Sequence, residues 1–231
     1  MRTLRRSLIV IAVLAAIFVG VDRLAVHLAE GQAVDKLRAS NGFGESTQVS
    51  IKGFPFLTQA VAGDLDELDA SVDHYESAMP GGATGRVENL ELHLNGVEFT
   101  NGYSSAVART ATGTALVPYA ELLHAAPAQD NGVRIAGLSD GGKGRIKVEL
   151  ETPDGGTSSI YSTVSVKDDT LRLHAETSPS TTTGLSEDEL RKATDIQQSI
   201  TRLPGGIRLT AAEPRTDGLR LTVGGSHVPL T

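Results

Sequence analysis

Apolar residues change their spacing three times along this chain, and each change predicts a different element. From Leu8 to Val21 they run almost without interruption, preceded by Arg2, Arg5 and Arg6 and closed by Asp22-Arg23. Positive residues ahead of an apolar run keep the N-terminus cytoplasmic, so the rest of the chain is expected to be exported. A helix over these 14 residues reaches roughly 21 Å at about 1.5 Å per residue, short of a ~30 Å hydrocarbon core, which suits a signal-peptide core better than a full span. No small-x-small cleavage site stands out, because cuts after Gly20, Ala25 or Ala29 place Phe18, Arg23 or His27 three residues back. The expected division is therefore 1–22 as signal peptide or signal anchor and 23–231 as one exported domain.

Spacings of three and four follow, at Leu24, Leu28, Gly31, Val34 and Leu37, and predict an amphipathic helix over 22–39 that ends at Asn41-Gly42. From residue 48 to about 177 the period falls to two in short runs punctuated by glycine and asparagine: 87–94, 133–135, 144–150, 160–167 and 170–175, the last two joined at Asp168-Asp169. This is the pattern of a long antiparallel sheet with one solvated face. Helical spacing returns at Leu190, Ala193, Ile196, Ile200 and Leu203, behind the capping-box pair Ser186 and Glu189 and ahead of Pro204-Gly205-Gly206. The predicted class is α+β.

One short stretch fits neither period. Val49 and Ile51 alternate with polar neighbours, then Gly53 breaks the strand and Phe54-Pro55-Phe56-Leu57 packs two of the five phenylalanines into four residues. This knot either plugs the core at a strand end or lines an apolar ligand cavity. The 190–203 stripe has the same two readings, core packing or one wall of such a cavity.

Composition narrows the chemistry. Of 21 basic residues three precede the apolar run, leaving 18 against 28 acids and a net charge of −10 beyond it. That surface repels phosphate backbones, so nucleic acid is excluded as a partner, and lipid handling would rest on acyl burial more than on a polybasic patch. Cysteine is absent, which removes disulfides, thiolate metal sites, cysteine nucleophiles and a lipid-modified cysteine. The six histidines lack metal-ligand spacing, and the acids at 64, 66, 67, 69 and 73 lack the glycine and terminal glutamate of a calcium loop. Gly137 to Gly144 comes within one residue of a phosphate-binding loop, but Gly144 stands where a magnesium-binding hydroxyl belongs, and a strand follows where a helix should. No cofactor, metal or catalytic constellation is expected.

The residues Val49, Ile51, Gly53, Phe54, Pro55, Phe56, Leu57 and Gln59 resemble the V-x-I-x-G-F-P-F-L-x-Q signature of the actinobacterial LmeA-like family of cell-envelope phospholipid-binding proteins. Val117 to Leu122 resembles that family's strand-to-helix junction, and Leu203 to Leu209 with Asp217 to Leu221 its closing hairpin. The resemblance implies a curved antiparallel sheet coiled around amphipathic helices, a tubular arrangement similar to the TULIP superfamily. It also implies a non-enzymatic role in binding phospholipid at the outer face of the cytoplasmic membrane, in support of envelope lipid or lipoglycan biogenesis. Acyl chains would lie in an apolar groove between Phe54, Phe56 and Leu57 on one wall and Leu190, Ile196 and Ile200 on the other, with the membrane a further partner if the N-terminal segment is retained. The rival expectations are an interaction module that supports a membrane-bound enzyme and a hydrolase assembled from scattered residues.

Overall fold

A computed structural model describes residues 2–39, 44–78, 84–100, 102, 104–124, 134–151, 155–176, 195, 197–199 and 205–230. The N-terminal run and the amphipathic segment form one helix, α1 (Arg2–Ala39), where the spacing change at Asp22 predicted two units. Nothing at the junction stops the helix: Gly20 is a weak breaker, and no proline occurs between residues 2 and 39. At about 1.5 Å per residue its 38 residues extend roughly 57 Å. By length and composition α1 could cross a membrane, a property it shares with signal sequences.

The remainder is mostly antiparallel strand. β1 (Gln48–Lys52), β2 (Asp64–Ala78), β3 (Thr84–Thr100), β4 (Ser105–Pro118), β10 (Ile207–Pro214) and β11 (Gly218–Pro229) make a six-stranded sheet in the order β1-β2-β3-β4-β11-β10. A second sheet holds β5 (Arg134–Gly142), β6 (Arg145–Glu151), β7 (Thr157–Lys167), β8 (Thr170–Glu176) and β9 (Gln197–Ser199) in sequence order. The single long sheet expected from the period-two runs is therefore two, separated in sequence by α3 (Tyr119–His124), which begins where the Val117-Pro118 junction was expected. A short helix, α2 (Phe56–Ala62), occupies the apolar knot.

Each end of the first sheet has its own apolar cluster. At one end Val26 of α1 and Phe56 of α2 pack with Ile51, Leu65, Leu94, Val97, Ala108, Ala111 and Val228. At the other, Tyr119, Leu219 and Leu221 pack against Ile146, Val148, Leu150, Ile160 and Leu171 of the second sheet. β11 contributes to both, and β4 leads from the first directly into Tyr119 of the second, so the two clusters are tied by continuous chain. The β7–β8 turn adds a polar tie, the Asp169 carboxylate accepting the Leu209 N–H at 2.9 Å. Both turn residues, Asp168 and Asp169, are left-handed, which short acidic side chains tolerate.

The first cluster depends on a crease that strict alternation conceals. By register, Asp66, Gly96, Arg109 and His227 lie in one row across four strands, and Gly96 and His227 are left-handed with φ of 60° and 52°. The inside-outside pattern slips by one residue across this row. Leu65 and Leu68, Leu94 and Val97, and Ala108 and Ala111, each three apart, all reach the same cluster.

The predicted helix over 186–203 is not found where it is visible. Gln197–Ser199 is strand β9, paired with β8 through Thr170 and Ser199, Leu171 and Gln198, and Arg172 and Gln197. The edge of β8 offers backbone groups for pairing, and strand pairing there outcompetes the three-and-four stripe over 197–199. Asp195 covers the same edge, accepting the Ala175 N–H at 2.9 Å. The rest of that stripe lies outside the described residues.

Tyr119 closes the second cluster. Its hydroxyl donates to the Arg215 carbonyl at 2.9 Å, and burial, reinforced by the charges of Asp140 and Asp217, pushes the phenol up to about 12. A folded-state value above the unfolded ~10 stabilises the fold fully below pH 10 and is lost as pH rises toward 12. Chemical denaturation across this window should show the natural chain losing about 2–3 kcal/mol relative to Tyr119→Phe, which lacks the titrating group.

Candidate functional site: the knot between the N-terminal helix and the sheet

The signature residues form a joint between α1 and the edge of the first sheet. β1 is an edge strand, and the Ile51 N–H that would face solvent is taken by Glu30 Oε1 of α1 at 2.8 Å. Gly53 then turns the chain with φ of 92°, and a Cβ there would lie 2.4 Å from Gln59 Nε2 and 2.8 Å from Asp66 Oδ2. Only glycine fits both the angle and the space. The Phe54–Pro55 peptide is cis. α2 starts after Pro55, which offers no side-chain cap.

The missing cap comes from α1. Asp22, with no solvent exposure, accepts the Leu57 N–H through Oδ1 at 2.9 Å. Its Oδ2 accepts Arg23 Nη2 at 2.7 Å, so a carboxylate serves the first turn of α2 as a local N-cap would. Arg23 Nη2 also donates to the Gly53 carbonyl at 3.3 Å, and its guanidinium stands 5.3 Å from the centroid of the Phe54 ring. The far end of α2 is closed by Gly63, left-handed at φ 81°, with its N–H on Gln59 O at 2.9 Å. Gln59 folds back to accept the Asp66 N–H at 2.9 Å. Its Nε2 is buried and finds no hydrogen-bond acceptor among the described residues.

The predicted site residues therefore have different surroundings. Phe56 is buried in the first cluster. Leu57 is half-buried and held through its backbone. Phe54 is 56% exposed. Leu190, Ile196 and Ile200 lie outside the described residues, so the wall they were expected to form cannot be placed against the knot. Asp22, Arg23 and Glu30 belong to the site although no motif pointed to them. The signal was the charged triplet of one helix face, which in sequence merely closes an apolar run.

Two grooves among the described residues lie away from the Phe54 turn, the first with a mostly apolar lining and the second with a polar one. One of about 290 Å³ runs along the β1–β2 pair past Val49 and Ala70 to Glu91 and His93, where Asp69 Oδ1 meets His93 Nδ1 at 2.8 Å. The other, about 300 Å³, is bordered by Asn89, Glu91, Thr114, Asp217 and Arg220. The phosphate-loop lookalike at 137–144 is the β5–β6 hairpin, with Lys143 and Gly144 left-handed at its tip. Gly137, Ser139 and Gly141 also have the spacing of an esterase nucleophile elbow. Ser139 sits inside β5 opposite Lys147, so no strand-to-helix turn presents it.

The fold and the knot together define an antiparallel-sheet domain whose edge is locked onto an apolar N-terminal helix. The chain is a member of the LmeA-like phospholipid-binding family, whose model matches residues 20–224. The match begins inside α1 and takes in Asp22, Arg23 and Glu30. No curated protein and no solved structure matches the chain.

Proposed function

We propose that this chain is a non-enzymatic phospholipid-binding protein of the cell envelope, exported behind α1 and acting in envelope lipid or lipoglycan biogenesis. The family match over residues 20–224 supports lipid as the ligand. The observation that carries the assignment to this site is Phe54. Of the signature residues, Val49, Ile51 and Phe56 are core, Gly53 and Gln59 shape the turn, and Leu57 is tied to Asp22. Phe54 is the signature aromatic left exposed, with the Arg23 guanidinium over its ring.

In this reading Phe54 and Leu57 form the mouth of an apolar groove backed by Phe56, with Leu190, Ile196 and Ile200 supplying the second wall. The two sheets then form the tubular, wrapped arrangement similar to the TULIP superfamily. Each buried methylene contributes about 0.8 kcal/mol, so ten would supply about 8 kcal/mol without any headgroup charge, in keeping with the acidic surface.

The test is solvent extraction of the purified full chain followed by lipid mass spectrometry, with exchange against added phospholipid. Co-purifying, exchangeable phospholipid is expected. Phe54→Ala should weaken retention about 5–30-fold, the factor that 1–2 kcal/mol represents, while leaving stability within about 0.5 kcal/mol, as for a surface change. A chain that carries and exchanges no lipid would overturn the reading and leave the enzyme-supporting interaction module in its place.

A further inference from the structure

We infer that the Phe54 knot docks on the outer leaflet of the bilayer that α1 enters, with the Phe54 ring inserted at the interface and α1 retained as the anchor. Three observations converge on this. First, α1 is unbroken from the apolar run into the domain, and the joint with the knot is made at the first residue past that run, Asp22. A helix leaving the membrane at Val21 therefore sets the knot at the membrane surface with no linker in which the domain could turn away.

Second, the outward face of α1 remains apolar past Asp22. Asp22, Val26 and Glu30 face the domain, while Ile17, Val21, Leu24 and Leu28, spaced by four, three and four, lie on the opposite side. Leu24 and Leu28 are 60% and 59% exposed. The sequence limits the apolar run to 14 residues and about 21 Å. Along this face Leu24 and Leu28 carry the apolar surface roughly 10 Å past Val21, into the interfacial layer beside the knot. Only the side of the helix that carries the domain is interrupted by charge.

Third, the knot presents at that level what an interface accepts: an exposed phenylalanine beneath a guanidinium that is itself half-exposed. An arginine in this position keeps its head among phosphates while its stem lies along apolar surface. On the outer side of α2, Val61 is 87% exposed. A segment designed only to plug the sheet would have no use for either side chain in water. With a net charge of −10 outside the leader, attachment rests on apolar insertion and should be insensitive to salt.

Docking does not depend on the lipid-carrier reading, and two measurements separate them. The chain has no cysteine, so Phe54→Cys, Leu24→Cys and Tyr161→Cys each accept a single nitroxide label in the full-length protein, reconstituted into phosphatidylcholine vesicles. Position 161 lies on β7 of the second sheet, whose apolar cluster includes no described residue of α1. Relaxation by oxygen should exceed relaxation by a water-soluble nickel complex at 54 and 24, with the order reversed at 161. A water-like label at 54 overturns the inference, and so does one shielded from both reagents, which would place Phe54 inside the protein. Lipid mass spectrometry on the unsubstituted chain before reconstitution reads the carrier function independently: bound lipid there, with a water-like label at 54 in the vesicles, leaves that function standing and docking refuted. Should a labelled variant melt early, Phe54→Trp, the sole tryptophan of the chain, gives the same answer: quenching by brominated acyl chains and a blue-shifted emission are expected, and water-exposed, unquenched emission refutes docking.

Discussion

Replacing Gly53 by alanine is expected to destabilise the protein by about 3 kcal/mol, a fall of roughly 6–12 °C in Tm for a chain of this size. Two effects add. A non-glycine residue at φ of 92° costs of order 1–3 kcal/mol in backbone strain. The new Cβ would also displace the side-chain ends of Gln59 and Asp66, whose Nε2 and Oδ2 stand at 2.4 and 2.8 Å, which adds about 1 kcal/mol, the low end of the overpacking range, because both are tips of flexible side chains. Gln59 is held by its bond to the Asp66 N–H, which limits that displacement. Thermal unfolding of Gly53→Ala, Gln59→Ala and the double variant separates the terms. Shortening Gln59 relieves the contact but leaves the strain, so the double variant should be more stable than the sum of the single losses predicts. A change below about 0.5 kcal/mol in Gly53→Ala would mean the turn relaxes freely, and the account of the signature as a rigid joint would fail.

That joint shows how far a sequence can be read and where reading stops. The apolar knot was visible because phenylalanine is scarce here, and the strand entering it was visible because Val49 and Ile51 alternate with polar residues. The partner of the knot was not visible. Asp22 meets Leu57 across 35 positions, and no local period encodes a carboxylate capping a helix that follows a proline. The strands of the second sheet were legible for the opposite reason, since each pairs with its sequence neighbour and keeps its alternation, as in Ile146, Val148 and Leu150. β4 was hidden by its small residues and by the crease at Gly96 and His227, which puts Ala108 and Ala111 on one side and defeats a period of two. The stripe at 190–203 failed over 197–199 because a free strand edge nearby decided the outcome, and that edge is a property of the assembled sheet.

Leu150→Ala should produce the other large loss, about 3 kcal/mol within a usual range of 2–5 for a buried leucine. Leu150 has no solvent exposure and sits among Ile146, Val148, Tyr119 and Leu219, where the second sheet meets the end of the first. The surroundings are strand backbone on both sides, with Ile135 opposite in β5 and Ser158 opposite in β7, so the cavity has little freedom to collapse. The sharper question is whether the damage stays local. β4 carries Ala108 and Ala111 into the first cluster and leads through Pro118 into Tyr119 of the second, and β11 joins Leu219 to Val228 in the same way. Loss of either cluster frees strands that the other needs. Denaturant unfolding of Leu150→Ala, and of Val97→Ala in the first cluster, should therefore move one and the same transition, seen alike by backbone and tyrosine signals. Two separable transitions, with each variant shifting only its own, would divide the part beyond α1 into two units, and α1 would then orient only the first of them.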